Sequence, residues 1–132
     1  MTNIPTDRKY SRDHEWVRSL GNGRLRIGIT DHAQRQLGDI VFVELPKQGD
    51  VFESGEPFGS VESVKSVSEL YTALGGTVSV VNEELNDSPE LLNEDPYEEG
   101  WIIEVTPAAG SGPEGLLTAA EYQDYITSET AE

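Results

Sequence analysis

Short segments rich in apolar, β-branched and aromatic residues dominate the chain, and in some of them apolar positions alternate with polar ones. This period of two is typical of strands with one buried face. Turn-forming residues separate the segments, and Gly21-Asn22-Gly23 tolerates the positive φ angles of a tight hairpin. The pattern predicts a mainly β protein, with strands over residues 14–20, 24–29, 39–45, 57–63, 66–73, 76–85 and 101–105.

The alternation changes phase within the run GSVESVKSVSELY at residues 59–71. Its apolar residues do not keep one period of two, and the break falls between Ser63 and Ser66. A reversal of the chain would produce such a break. We therefore predict a hairpin with Lys65 at its tip. The residues that present the lysine are Glu62, Ser63, Val64 and Ser66.

A helical spacing interrupts the strands at residues 31–37. Thr30 or Asp31 can cap the start of this short helix, and Gly38 can take the left-handed conformation that ends it. Ala33 and Leu37 lie four residues apart, so they are predicted to share the buried face.

A second helix is predicted near the C-terminus. Thr118 and Glu121 have the spacing of a capping box. The aromatic and aliphatic residues Tyr122, Tyr125 and Ile126 follow at helical spacing, which indicates an amphipathic helix lying on the β structure.

A weak internal similarity relates residues 38–63 to residues 76–105. Each segment begins with a strand-like stretch after a glycine, passes a proline–aromatic pair and ends in another strand. The pairs are Pro57-Phe58 and Pro96-Tyr97. A repeat of this size favours two similar half-sheets that pack on each other.

Composition limits the classes of function. A chain of 132 residues is predicted to form one domain over residues 1–132, with a core over 10–106 and a helical segment over 114–128. The net charge of −16 argues against binding to nucleic acid or anionic lipid. No apolar run is long enough to cross a membrane, and the N-terminus lacks the features of a signal or transit peptide. We expect a cytoplasmic monomer.

The candidate chemical groups are few. The chain has no cysteine, so a disulfide, a thiolate nucleophile or a cysteine metal site is excluded. His14 and His32 are the only histidines, and no ligand spacing surrounds them, which favours structural roles and no metal site. No motif of a catalytic site occurs, so no catalytic residues are predicted.

Lys65 is the only basic residue after Lys47. An ion pair across strands with Glu62 or Glu69 is the ordinary interpretation of such a lysine. A Schiff-base lysine needs a lowered pKa, and acidic surroundings favour the charged form instead. A single exposed lysine on a hairpin suits acylation by another protein, and the attached group then becomes a mobile arm. We interpret Lys65 as an attachment point.

The sequence resembles the H protein family of the glycine cleavage system over residues 8–126. The resemblance is carried by DHEWVR at 13–18, GITDHAQRQLGDIVFVELP at 28–46, ESVKSVSELY at 62–71, GGTVSVVNEELNDSPELLNEDPYEEGWIIEV at 75–105 and LLTAAEYQDYI at 116–126. It implies a barrel-sandwich hybrid, a flattened barrel of two small sheets, with one short helix in the N-terminal half and a C-terminal helix. It also implies lipoate in amide linkage to Lys65.

The resemblance further implies a role as a carrier and not as an enzyme. In this family a pyridoxal-phosphate-dependent glycine decarboxylase loads the aminomethyl group of glycine onto the lipoyl arm. A tetrahydrofolate-dependent aminomethyltransferase then removes the one-carbon unit, and dihydrolipoamide dehydrogenase reoxidises the arm. Lipoyl-attaching enzymes are the remaining implied partners. An additional role in passing lipoyl groups to other proteins stays open.

Family members hold the loaded arm in a groove, where acidic and polar side chains bind its ammonium group. Glu15 and Glu69 match acidic positions of this groove, and Gln36 stands where some relatives have a histidine. The segment YTALGGTV at 71–78 also departs from the commoner family pattern. A biotin carrier is the alternative of another kind, but Val64 and Ser66 replace the two methionines expected beside its lysine. A non-carrier interaction module is the other alternative.

Overall fold

The fold is mainly β, as the alternating pattern predicts. The computed structural model describes residues 4–72, 74–108 and 115–130, with the side chains of 129 and 130 left out. The six-stranded sheet has the order β1-β2-β3-β9-β8-β5, and every neighbouring pair is antiparallel. Its strands are β1 (Lys9–Tyr10), β2 (Glu15–Ser19), β3 (Leu25–Ile29), β5 (Val51–Phe52), β8 (Gly76–Val81) and β9 (Ile103–Pro107).

A three-stranded antiparallel sheet packs against the first. Its order is β4-β6-β7, with β4 (Ile40–Glu44), β6 (Pro57–Ser63) and β7 (Val67–Tyr71). The main hydrophobic core lies between the sheets because each contributes its apolar face. Among its buried members are Ile27, Ile103 and Val78 from the larger sheet and Val43 and Val61 from the smaller one.

Four helices lie around the sheets in the described ranges. They are α1 (Asp31–Leu37), α2 (Glu84–Asp87), α3 (Leu91–Glu94) and α4 (Ala119–Thr130). Thr30 caps α1 by accepting a hydrogen bond from the Ala33 backbone. Gly38 ends it with φ 82 and ψ −161, a conformation open essentially to glycine alone. Ala33 and Leu37 pack half-buried against the core, as their spacing predicts.

The C-terminal helix α4 covers a second, aromatic cluster. Tyr122 and Ile126 of the helix pack with Tyr10, Trp16 and Tyr97, and all five are buried. Thr118 and Glu121 bond to each other's backbone N–H groups, which confirms the predicted capping box. The helix begins at 119, later than the predicted 114, and residues 109–114 lie outside the described ranges.

Gly28 is required by the packing of the same cluster. A Cβ atom at this position would lie 2.6 Å from the ring of Trp16, which is fully buried and donates a hydrogen bond from its Nε1 to the Pro96 carbonyl. The two tryptophans are predicted from the sequence to fill the core. Trp101 is only half-buried: it packs against this cluster and lies under the Arg26 guanidinium, which is 4.7 Å from its ring centre.

Several boundaries differ from the sequence prediction. The strand predicted over 76–85 ends at Val81, and the chain continues into α2. The strand predicted over 101–105 begins two residues later. The predicted end of the strand over 66–73 falls on Ala73, outside the described residues, and β7 ends at Tyr71. The two-residue strands β1 and β5 were not predicted.

The internal similarity corresponds to one antiparallel pair in each sheet. Residues 38–63 contain β4 and β6, which are neighbours, and residues 76–105 contain β8 and most of β9, which are neighbours as well. The correspondence is partial, because Pro57 opens β6 whereas Pro96 precedes β9 by a longer loop.

Candidate attachment site

Lys65 lies exposed in the turn that joins β6 to β7. The turn is closed by a hydrogen bond of 2.8 Å from the Ser63 N–H to the Ser66 carbonyl. The buried Ser63 hydroxyl accepts bonds of 3.2 Å from the N–H groups of both Lys65 and Ser66. A serine that bonds the backbone two and three residues ahead fixes a tight turn locally. The backbone of Lys65 is therefore held while its side chain remains accessible.

The tip of the hairpin is also tied to the segment after α1. The Val64 N–H donates to the Asp39 carbonyl at 3.0 Å. Asn93 of α3 fixes that segment from the other side, because its Oδ1 accepts from the Ile40 N–H and its Nδ2 donates to the Gly38 carbonyl, both at 2.9 Å. These bonds connect the tip to a helix that lies far away in sequence.

The side chain of Lys65 extends over Gly38. A Cβ atom at Gly38 would lie 2.9 Å from the Lys65 Cε, so the lysine methylenes in this position lie directly against the glycine backbone. Within the described residues Lys65 forms no ion pair, and the pairing with Glu62 or Glu69 considered as an alternative is not found. The amine is therefore available to a reacting partner.

A cleft of about 200 Å³ lies between the smaller sheet, α1 and the start of β2. Its walls include Leu37, which directly precedes Gly38, so the cleft begins beside the lysine side chain. Glu15, Gln36 and Glu69, the three residues expected in the groove, all line it. The structure thus brings together positions that lie more than fifty residues apart in the sequence.

Glu15 is the most unusual group in the cleft. Its side chain is almost fully buried, and Oε2 accepts a hydrogen bond of 3.0 Å from the Tyr71 N–H. Its other oxygen, Oε1, is the one buried side-chain polar atom of the described residues without a hydrogen-bond partner. Burial, and next the nearby Asp13 carboxylate, raise the pKa of Glu15 well above its ordinary value, while the Tyr71 N–H lowers it.

Glu69 and Gln36 are exposed. Glu69 pairs with Ser60, which in turn pairs with Glu44, and paired residues of antiparallel strands point to the same side. Glu69 therefore belongs to the outer face of the smaller sheet and reaches the cleft at its edge. Ser68 pairs with the buried Val61 and lies on the inner face, half-buried in the cleft wall.

Ser68 and His14 line the cleft without having been assigned to it from the sequence. Ser68 could have been assigned from strand alternation, because it lies two residues before the buried Leu70. His14 gives no such signal. It has a φ of 65, and its Nδ1 forms a hydrogen bond of 2.8 Å with the Tyr122 hydroxyl, which also bonds the Thr30 hydroxyl.

The two histidines belong to the packing of α4. Their rings lie 4.7 Å apart, and Tyr122 and Tyr125 of the helix contact His14. Across the described ranges no group of three or more His, Cys, Asp or Glu residues is arranged to hold a metal ion. None of the helices described is long and apolar enough to cross a membrane.

Two small antiparallel sheets with an exposed lysine at a hairpin tip define the class of the protein: a barrel-sandwich carrier of the lipoyl-domain type. Comparison with known proteins gives the particular family. The family Glycine cleavage H-protein matches residues 8–129. The chain is similar to a "Glycine cleavage system H protein" from Herpetosiphon aurantiacus, at 56% identity over 98% of both chains. It is 57% identical to a protein of the same name from Halalkalibacterium halodurans, over 98% of this chain and 100% of that one.

A solved structure agrees with these sequence comparisons. The crystal structure of a glycine cleavage system H protein from Mycobacterium marinum superposes with a TM-score of 0.85 and 41% identity. The match covers 93% of this chain and 98% of the other. The chain belongs to the glycine cleavage H-protein family. It is the lipoyl carrier of the glycine cleavage system and not one of its enzymes.

Proposed function

We propose that Lys65 is the residue that carries lipoate in this protein. The main support for this proposal is the position of Lys65. Its side chain is exposed at the tip of the hairpin, and Ser63 fixes the backbone there. Lys65 is also the only basic residue after Lys47. Family membership supports the cofactor, and the residues present fit it: an accessible amine stands beside a cleft that contains a buried, partly unpartnered carboxyl group.

Bound lipoate supplies a disulfide that can accept the aminomethyl group of glycine and a dithiol that can be reoxidised. The protein's own residues hold the point of attachment in place and shield the attached aminomethyl group from water. The turn from Ser63 to Ser66 presents the amide-linked side chain to partners, and its hydrogen bonds keep the point of attachment fixed. A fixed attachment point with a mobile arm lets one carrier visit several active sites.

The cleft binds the aminomethyl group carried by the lipoyl arm, which we call the cargo, between reactions. An ammonium group there would donate to Glu15 Oε1, the oxygen without a partner, and the opposite charge would favour the ionised carboxylate. Ser68 offers a second polar group in the same wall, and Glu69 and Gln36 contribute at its exposed edge. The apolar side chains of Leu37, Val61 and Leu70 limit the access of water.

The proposed partners follow from the system to which the family belongs. They are a pyridoxal-phosphate-dependent glycine decarboxylase, a tetrahydrofolate-dependent aminomethyltransferase, dihydrolipoamide dehydrogenase and the enzymes that attach lipoate. The net charge of −16 favours partners whose docking surfaces are basic. We place the carrier in the cytoplasm as a monomer.

Replacement of Lys65 by arginine tests the proposal. Arginine keeps the positive charge and much of the length but does not accept an acyl group. We expect Lys65→Arg to fold normally and, after the same lipoylation treatment as the wild type, to have no carrier activity in a reconstituted glycine cleavage assay. Lys47→Arg is the matched control, since Lys47 is also exposed, and it should keep full activity. Carrier activity in Lys65→Arg would refute the assignment.

A further inference from the structure

The segment from Gly38 to Ile40 joins α1 to β4 and lies beside the lysine side chain. Gly38 ends α1, and β4 begins at Ile40. The Lys65 side chain follows the Gly38 backbone along much of its length. A Cβ atom at Gly38 would lie 2.9 Å from the Lys65 Cε, 3.8 Å from its Nζ and 3.9 Å from its Cγ. Leu37, the residue before Gly38, lines the cleft. The segment therefore lies where the lysine side chain and the cleft meet.

Regular strand pairing holds this segment only in part. The register of β4 against β6 shifts between Ile40 and Phe42, and such an irregularity disrupts the ladder of backbone hydrogen bonds locally. The Ile40 N–H donates instead to the side chain of Asn93 at 2.9 Å. On the other side, the Val64 N–H of the hairpin donates to the Asp39 carbonyl at 3.0 Å. The position of the segment thus depends on bonds from outside β4.

The side-chain amide of Asn93 holds the segment at both ends. Its Oδ1 accepts from the Ile40 N–H, and its Nδ2 donates to the Gly38 carbonyl at 2.9 Å and to the Gln34 Oε1 at 3.0 Å. Oδ1 faces an N–H group and Nδ2 faces two oxygens, so these partners define the orientation of the amide. One half-buried side chain of α3 therefore fixes both the end of α1 and the start of β4.

We propose that Asn93 is a positioning residue for the lipoyl arm: it fixes the Gly38 backbone against which the Lys65 side chain lies, and so directs the arm toward the cleft. This inference rests on the proposed lipoylation of Lys65. Asn93 is not among the residues that line the cleft, so it acts through Gly38. An arm whose base is held in one direction loses less freedom when its far end binds, which favours the bound position. The cargo therefore stays longer beside Glu15.

Asn82 provides a matched comparison elsewhere in the fold. Its Nδ2 likewise donates to two groups, the carbonyls of Glu99 and Trp101, at 3.0 and 2.6 Å. Asn82 is buried, directly follows β8 of the larger sheet and does not line the cleft. Loss of its two hydrogen bonds should destabilise the fold at least as much as the same loss at the half-buried Asn93, but it should leave the segment beside the lysine in place.

Replacement of each asparagine by aspartate removes the N–H donors and keeps the size of the side chain. In Asn93→Asp the Ile40 N–H keeps its acceptor, while the Gly38 carbonyl loses its donor and faces a carboxylate. The wild type and both variants are lipoylated and loaded with the aminomethyl group, and ammonia release is recorded without partner enzymes. We expect the lifetime of the loaded carrier to fall roughly fivefold in Asn93→Asp, the change that corresponds to one ordinary hydrogen bond. In Asn82→Asp it should stay within about twofold of the wild type.

Reoxidation of the reduced arm separates positioning from a general loss of structure. Dihydrolipoamide dehydrogenase acts on the far end of the arm when it is outside the cleft, so Asn93→Asp should be reoxidised at the wild-type rate. A short lifetime with normal reoxidation is the result expected of a positioning residue. Slow reoxidation together with a short lifetime would overturn the inference, because damage to the hairpin would explain both.

The remaining outcomes are equally decisive. Equal lifetimes in the wild type and Asn93→Asp, or equal shortening in the two aspartate variants, would overturn the inference and leave the proposed function intact. Absence of a lipoyl group on Lys65 of the treated wild type would overturn the proposed function itself. If Asn93→Asp does not fold, Asn93→Ser and Asn82→Ser give the same comparison, since serine is too short to reach both ends of the segment.

Discussion

Glu15 combines almost complete burial with an oxygen that has no partner. Such a carboxyl group is unfavourable in the empty carrier, because no protein group satisfies the buried Oε1. A cargo ammonium would supply both a donor and an opposite charge. Glu69, in contrast, is exposed and already solvated. At the scale of single residues, the two carboxylates that match the family groove therefore differ in what they can contribute.

Replacement of Glu15 and of Glu69 by glutamine should separate their contributions to the lifetime of the loaded carrier. We expect Glu15→Gln to shorten the lifetime of the loaded carrier roughly tenfold, since a buried hydrogen bond to a charged group is worth roughly 1.5–3 kcal/mol. Glu69→Gln is the comparison and should change the lifetime less than about twofold, because solvent screens an exposed charge. The time course of ammonia release from the loaded carrier, recorded without partner enzymes, measures the lifetimes of both variants. Equal lifetimes in the wild type and Glu15→Gln would rule out protection by this carboxyl group.

The stability of the empty carrier provides the control. Since burial raises the pKa of Glu15 above its ordinary 4.5, the folded protein binds this proton more tightly than the unfolded chain. The resulting stabilisation is full below 4.5 and is lost as the pH rises through the folded pKa. Glu15→Gln should therefore gain stability relative to the wild type as the pH rises above 4.5 and through the folded pKa of Glu15. Denaturant unfolding at several pH values measures this gain, which excludes loss of folding as the cause of a short lifetime.

At the scale of elements, one serine hydroxyl adds two hydrogen bonds to the backbone bonds that close the β6–β7 turn. Ser63 Oγ accepts from two backbone N–H groups, whereas Ser66 enters the turn through its backbone N–H and carbonyl. Ser63→Ala should lower the free energy of unfolding by about 1 kcal/mol and speed amide exchange at Lys65 and Ser66. Ser66→Ala should change stability by less than about 0.5 kcal/mol. Equal effects of the two substitutions, measured by denaturant unfolding and hydrogen exchange, would show that the hydroxyl does not order the tip.

The elements that the sequence predicted are those with a long periodic pattern. The strand over 24–29 alternates clearly, and the helix over 31–37 has a cap at each end, so local rules suffice. The elements that were missed are short. Helices α2 and α3 have four residues each, too few for a helical period, and β1 and β5 have two. Their formation depends on contacts with distant residues, such as the bonds between Asn93 and the segment after α1.

At the scale of the whole molecule, the attachment point and the cleft differ in how far the sequence reveals them. Lys65 is prominent in the sequence alone, because no other basic residue follows Lys47. The cleft is assembled from β2, α1 and both strands of the hairpin, so no single local pattern marks all of its members. Glu15, Gln36 and Glu69 were expected through the family resemblance only. Strand alternation places Ser68 on the same face as Leu70, whereas the pairing of Ser68 with Val61 and of Glu69 with Ser60 comes from the fold.

The charge of the whole molecule adds a condition that its partners must meet. A net charge of −16 on 132 residues creates a negative potential that speeds encounter with basic surfaces and is screened by salt. Each enzyme that attaches the lipoyl arm or reacts with it therefore meets a strongly acidic carrier. Lys65, in the β6–β7 turn, is the only basic residue after Lys47 in this carrier.

The most direct test of the account is the mass of the peptide that contains Lys65, taken from protein purified from its own host. We expect a peptide heavier by one lipoyl group, with fragmentation that places the group on Lys65, while peptides containing Lys9 and Lys47 are unmodified. An unmodified Lys65, or a biotinyl group at this position, would contradict it.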